Sequence, residues 1–304
     1  MLDPQAEARP GSKAPPVASV IIPAHNEATV LPRLLASLSD GARDGRWRVY
    51  VVCNGCSDTS AEVARSFPGV EVIETPKSLK THALNLGDEA AGDVFPRLYL
   101  DADIEVDPDS LARVIEVLSV PQARAAAPAL LFDTTGRPFA VRWFYRVFAR
   151  TWWVTDGLLG SGFYGLSRAG RARFGKFSGR INEDQFVREL FDRSERFNPD
   201  GTTFTISTPW TTLALIRAKA RVAEGVAELA SDSAHQPVPS EYRPQPVLRD
   251  ARELAGIARQ PGMMLPVLTY SAVRVTCWAL KSFRVATGRR GLWSQDRTTR
   301  VAVS

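Results

Sequence analysis

The sequence predicts an α/β protein: a mostly parallel sheet flanked by helices, with a helical C-terminal extension. Three observations lead there. From Val17 onward, short β-branched runs alternate with amphipathic helical stretches, a pattern that produces parallel strands covered on both faces. The chain has 304 residues, 44% of them hydrophobic, enough to bury a sizeable core. A Pro-rich stretch from Pro237 to Pro246 then separates this alternation from a basic, helix-prone remainder.

Taken in order, residues 1–16 are polar and Pro-rich, and read as a disordered lead-in without the apolar run of a secretory signal. Ala18 to Pro23 is an apolar strand, and Thr29 to Leu38 places apolar residues at helical spacing. Val49 to Cys53 is a second strand, followed by a helix over Asp58 to Ser66 that Asp58 or Thr59 can cap. Val70 to Ile73 is a third strand and Thr81 to Ala91 a third helix, opened by Lys80. Arg97 to Leu100 is a fourth strand, ending at Asp101-Ala102-Asp103, with a helix over Asp109 to Leu118 beyond it. The pattern then blurs until a helix headed by Glu183-Asp184, a strand over Thr202 to Ser207 and a helix over Leu213 to Leu229.

Composition narrows the chemistry. Lys and Arg number 38 against 33 Asp and Glu, a net +5, which mildly favours phosphate-bearing or lipid partners. Three Cys cannot make a disulfide framework and three scattered His make a His-rich zinc site improbable. A metal here is expected on oxygen ligands. Ligands of open parallel sheets bind beyond the C-terminal strand ends, where the polar residues gather: Pro23 to Glu27, Asn54 to Asp58, and Asp101 with Asp103. Two carboxylates where a buried strand gives way to a loop can share one divalent cation with a bound diphosphate.

Those stretches resemble a family 2 glycosyltransferase of the GT-A fold. The resemblance rests on Val20 to Glu27, Val51 to Thr59, Lys80 to Gly87, Gly92-Asp93 and Leu100 to Asp103 in that order, and more weakly on Gly160-Ser161-Gly162 through Asn182-Glu183-Asp184. It implies a nucleotide-binding sheet and inverting transfer of a sugar from a nucleotide-sugar to an acceptor hydroxyl, on a glycan or a lipid-linked acceptor, as in cell envelope polysaccharide synthesis. It further implies that Pro23, Glu27, Asn54, Lys80 and Asp101 hold the donor, that Asp103 with Asp101 ligates Mg²⁺ or Mn²⁺, and that Asp184 is the general base. His235 is a further metal ligand on that reading, against the blander one of a surface-loop histidine. Residues 17–230 would be the catalytic domain, and 231–304 a Pro-rich linker with a basic amphipathic extension.

Departures from the family pattern matter. Asn54 stands where many members have an acid, and an amide both donates and accepts, so the base is open. The Gln-x-x-Arg-Trp motif of processive relatives is missing; Arg217 to Arg221 stands there, either facing a diphosphate or lying on a solvated helix face. Cys53 and Cys56 form a C-x-x-C, better read as part of the nucleotide loop than as a redox pair. Two rivals remain. A nucleotidyltransferase would carry Gly and Arg in the loop after the first strand, and Pro23 to Glu27 has neither; a catalytically silent assembly partner would not need Asp101, Asp103 and Asp184.

The basic residues have addresses. Residues 137–180 hold nine basic side chains and one acid, interleaved with aromatics, and seven basic residues face one acid from 270 onward. From Gly262 to Ala286 an amphipathic, Trp-bearing pattern either lies on an anionic membrane or packs on the catalytic region. No run reaches the roughly 20 apolar residues of a span. The expectation is a cytoplasmic protein, peripheral at the inner face of the membrane, with no nucleic-acid partner.

Overall fold

The computed structural model describes residues 18–155, 160–177, 183–231 and 247–287. Its elements run β1 (Ser19–Ala24), α1 (Leu31–Arg43), β2 (Arg48–Asn54), α2 (Ser60–Arg65), β3 (Val70–Thr75), α3 (Lys80–Ala91), β4 (Arg97–Leu100), β5 (Ile104–Val106), α4 (Pro108–Leu118), β6 (Ala125–Ala126) and β7 (Ala129–Asp133). Next come α5 (Phe139–Phe148), α6 (Trp152–Thr155), β8 (Phe163–Leu166), α7 (Arg168–Arg171), α8 (Glu183–Glu189), β9 (Arg196–Phe197), β10 (Thr203–Ser207), α9 (Thr212–Ser231), α10 (Val247–Ala258) and α11 (Met264–Ala286). His235, the one predicted metal ligand on the Pro-rich segment, lies outside the described residues, as does the expected lead-in.

The main sheet has the order β3-β2-β1-β4-β8-β6-β9. β1, β2, β3 and β4 run parallel, whereas β8 is antiparallel to both β4 and β6. β1, β4 and β8 are buried along their whole lengths, as strands covered on both faces must be. A second, three-stranded sheet, β5-β10-β7, branches off directly after Asp103. α1 lays Leu31, Leu34, Leu35 and Leu38 against the core, each contributing about 1.5–3 kcal/mol of transfer free energy. α4 starts where Asp107 accepts the Ser110 N–H at 2.8 Å, a helix N-cap. Asp58 serves the start of α2, accepting the Ser60 N–H at 3.0 Å from one residue ahead of the Thr59 cap position.

One buried acid locks the floor of the site. Asp88 on α3 accepts from Arg97 and from the Tyr99 hydroxyl, each at 2.7 Å, and from Arg171 at 2.7 Å. This ties α3, β4 and α7 together beneath Asp101. Tyr99 also stacks on Tyr164 of β8 with centroids 4.8 Å apart, joining the parallel and antiparallel halves.

A second core is helical: Val141, Phe144, Tyr145 and Val147 of α5 meet Leu215 and Ala220 of α9 and Tyr270, Val273 and Cys277 of α11. α11 therefore packs on the rest of the chain by one face, with Phe144 stacked on Tyr270 at 4.9 Å. Lys219 sits within this cluster, its ammonium 4.4 Å from the Phe148 ring centre and 5.3 Å from that of Tyr145. Neither reading of the Arg217–Arg221 stretch anticipated this, because the aromatic rings that receive Lys219 are contributed by a helix some 70 residues away.

Candidate active site

Parallel strands deliver their C-terminal loops to one edge of the sheet, and there the predicted residues meet. Pro23, Lys80, Asp101, Gly162, Glu183 and Asp184 line a single cleft. Lys80, the first residue of α3, reaches across it. Its Nζ lies 2.6 Å from Asp101 Oδ1 and 2.5 Å from Glu183 Oε1. Burial alone lowers the Lys80 pKa, but the carboxylates of Asp101, Glu183 and Asp184 outweigh it and hold the value well above the usual lysine range. Glu183 is nearly enclosed, at 7% exposure; burial raises its pKa, and Lys80 opposes the rise.

Asp184 is held by backbone. Its Oδ2 accepts the Ser161 N–H at 2.9 Å and its Oδ1 the Gln185 N–H at 2.8 Å. The Gly160-Ser161-Gly162 turn makes this possible, with φ of +101° and +105° at the two glycines, a conformation open to glycine at little cost. The same turn reaches the other acid, because the Asp101 N–H donates to Gly162 O at 2.8 Å. A Cβ on Gly160 would lie 2.6 Å from Asp184 Oδ2, so the approach also excludes a side chain.

The loop after β1 is laced to the loop after β2. Asn54 is 2% exposed; its Nδ2 donates to Ala24 O at 2.9 Å, while its Oδ1 is enclosed and has no hydrogen-bond partner. Its donor side is committed to the protein, leaving an acceptor as an Asp would. The Glu27 N–H donates to Ser60 Oγ at 2.8 Å, and Glu27 itself is buried. Cys56 Sγ accepts the Asn26 N–H and donates to Ala24 O, both at 3.4 Å. Its pKa falls to about 6, chiefly through a hydrogen bond from the Cys53 thiol and despite burial. This C-x-x-C thus staples the two loops.

Asp103 closes the segment between β4 and β5 and is half-buried. Among the described residues no three His, Cys, Asp or Glu side chains form a metal cage. The donor set at Asp101 and Asp103 is all oxygen, and fits Mg²⁺ or Mn²⁺ completing its shell from a substrate diphosphate.

The sequence did not single out Glu183 as the partner of Lys80, nor the turn at 160–162 as the clamp on Asp184. The first pair is separated by some hundred residues; for the second, the paired glycines were the available signal. The basic residues of the aromatic-basic stretch 137–180 divide between ion pairs and solvent. Arg171, Arg173 and Lys176 are engaged with Asp88, Glu195 and Glu89, and Arg137 is buried against Trp210. Arg142 and Arg146 on α5, and Arg150 just past its end, remain exposed.

Comparison with known proteins agrees with this architecture. Residues 19–158 match the family described as glycosyl transferase family 2. An N-acetylglucosaminyltransferase of Sinorhizobium fredii is 28% identical over 173 residues, 54% of this chain and 38% of the relative, so the chain spans well under half of that protein. Among solved structures, a mannosyltransferase from Pyrobaculum calidifontis, in complex with GDP-Man and Mn²⁺, superimposes with a TM-score of 0.58 at 19% identity over 91% of this chain and 80% of its own. A mycobacterial protein gives a TM-score of 0.50 at 18% identity over 76% of this chain and 86% of its own. These likenesses show the fold. The strand-end acids lie in the segment that matches the glycosyl transferase family 2 model, residues 19–158, within the GT-A architecture shared with these structures.

Proposed function

We propose that this chain is an inverting glycosyltransferase that moves a sugar from a nucleotide-sugar donor to an acceptor hydroxyl, with Asp184 as general base. The observation that carries the reading is the backbone clamp on Asp184, which fixes a carboxylate in the same cleft as Lys80 and Asp101. A positioned carboxylate takes the proton from an attacking hydroxyl, and attack on the face opposite the leaving group inverts the anomeric carbon. Lys80 supplies fixed positive charge where a diphosphate departs. Pro23, Glu27, Asn54 and Asp101 shape the donor side. Mg²⁺ or Mn²⁺ on Asp103 and Asp101 would neutralise the leaving diphosphate.

Residues 17–230 are proposed as the catalytic part, with 231–304 as an extension docked on it through α11. The donor class is supported by the GDP-Man seen with the archaeal neighbour. The acceptor would be a glycan or a lipid-linked sugar at the cytoplasmic face of the membrane.

Two variants test the reading. Asp184→Asn removes the base and loses one of the two backbone hydrogen bonds, since an amide has a single acceptor oxygen. It should abolish turnover while donor-induced thermal stabilisation persists. Asp103→Ala should abolish the extra stabilisation that Mn²⁺ gives in a screen of nucleotide-sugars. Wild-type turnover in Asp184→Asn would remove the general-base assignment.

A further inference from the structure

α11 is apolar on two opposite faces, and the helical core uses one of them. Pro266, Tyr270, Val273 and Cys277, spaced by four, three and four residues, are buried, three of them within the helical core. Met264, Leu268, Val275 and Trp278, spaced by four, seven and three, follow the other face of the same helix. They are 61%, 58%, 65% and 67% exposed. Leu265 and Phe283, each 60% exposed, widen that stripe. Large apolar side chains clustered in this way on a surface mark an interaction site.

Charge decides the occupant. Arg274 and Lys281 stand beside the stripe, and α5, which packs against α11, carries Arg142 and Arg146 exposed, with Arg150 exposed just past its end. The sequence beyond residue 287 adds Arg289, Arg290, Arg297 and Arg300 against one acid, Asp296. Basic side chains flanking an apolar, Trp-bearing stripe complement an anionic bilayer, whose headgroups take the charge while the acyl boundary takes the stripe. Among the described residues no helix is long and apolar enough to cross a membrane, which suits a helix lying in the interface plane.

We propose that the outward face of α11, centred on Leu268, Val275 and Trp278, is a docking surface for anionic lipid bilayers. The proposal is independent of the transfer reaction, because none of these residues lines the cleft. The test is co-sedimentation of the full chain with vesicles of phosphatidylcholine alone or mixed with phosphatidylglycerol, at low and high salt. The chain should pellet with the mixed vesicles and be released by salt. Leu268→Asp and, separately, Val275→Asp should each weaken partitioning by about 30-fold, the equivalent of one lost aliphatic anchor. Their melting temperatures and donor-induced stabilisation should stay at wild-type values, as expected for exposed positions.

Wild-type protein that stays in the supernatant with phosphatidylglycerol vesicles would overturn the proposal. So would a dimer in light scattering that Leu268→Asp dissociates, since the stripe would then belong to a second copy. Equal pelleting with neutral and anionic vesicles would remove the role given to the arginines. A chain that passes the vesicle test yet gains no stability from any nucleotide-sugar would separate this proposal from the catalytic one.

Discussion

Gly160→Ala tests the clamp on Asp184 directly. A β-carbon there would stand 2.6 Å from Asp184 Oδ2, 2.8 Å from its Cβ and 3.0 Å from its Cγ, where ordinary contact begins at 3.4 Å. The whole carboxylate must therefore retreat by about 1 Å, losing the Ser161 N–H bond, and a displacement of that size in a catalytic group costs about 100-fold in rate. Backbone strain at φ +101° adds about 1–3 kcal/mol of destabilisation. The assay is nucleoside diphosphate release at saturating donor, with melting curves confirming that the variant is folded at the assay temperature. Gly92→Ala is the control, because Gly92 also has positive φ, +55°, but nothing lies within 4 Å of its added Cβ. We expect kcat to fall about 100-fold in Gly160→Ala, with donor KM and the Gly92→Ala kcat unchanged. A wild-type kcat in Gly160→Ala would refute the claim that this turn fixes the proposed base.

Three further substitutions probe the buried charges. Lys80→Met leaves Asp101 and Glu183 without their shared ammonium and should destabilise the fold by about 1–3 kcal/mol, discounted because Asp101 is partly solvated. Glu183 has a raised folded pKa, so the deficit against wild type should grow as pH rises from acid to neutral in urea titrations; a deficit constant with pH would contradict the pairing. Asp88→Ala strands Arg97 and Arg171 and should cost about 3–5 kcal/mol in denaturant unfolding; a loss under 1 kcal/mol would mean that the arginines find other partners. Lys219 has a pKa lowered to about 8, by burial before the smaller push from Arg274. The unfolded state thus binds more protons above that value, and stability should rise by about 2 kcal/mol as pH climbs from 8 towards the ordinary lysine range. Lys219→Met should abolish that rise, which calorimetry at a series of pH values can follow.

The strand-end half of the proposed site was legible because its signals are local. Asp101 and Asp103 announce themselves by following an apolar strand, Pro23 to Glu27 straddle the end of a six-residue strand, and Asn54 ends a seven-residue one. The half beyond Asp103 was faint for a physical reason. β6 and β9 have two residues each, and β5 has three, too short to show alternation. Their place is set by long-range pairing. The Lys80–Glu183 contact and the Asp88 node are likewise products of topology. Basic residues clustered in 137–180 proved divided between ion pairs with Asp88 and Glu195 and an exposed row on and just after α5. Clustering along a chain says little about direction in space.

The reversal of β8 has a consequence for how such a cleft can diversify. A parallel strand offers its trailing loop to the active edge, whereas an antiparallel neighbour offers the loop that leads into it. Seating β8 beside β4 therefore joins two lineages of loops at one rim, one from early in the chain and one from more than fifty residues later. On the proposed assignment, the Gly160–Gly162 turn meets Asp184 from one side of this rim while the ends of β1, β2 and β4 meet the donor from the other. The two sides of the rim can therefore change independently, with the sheet left untouched.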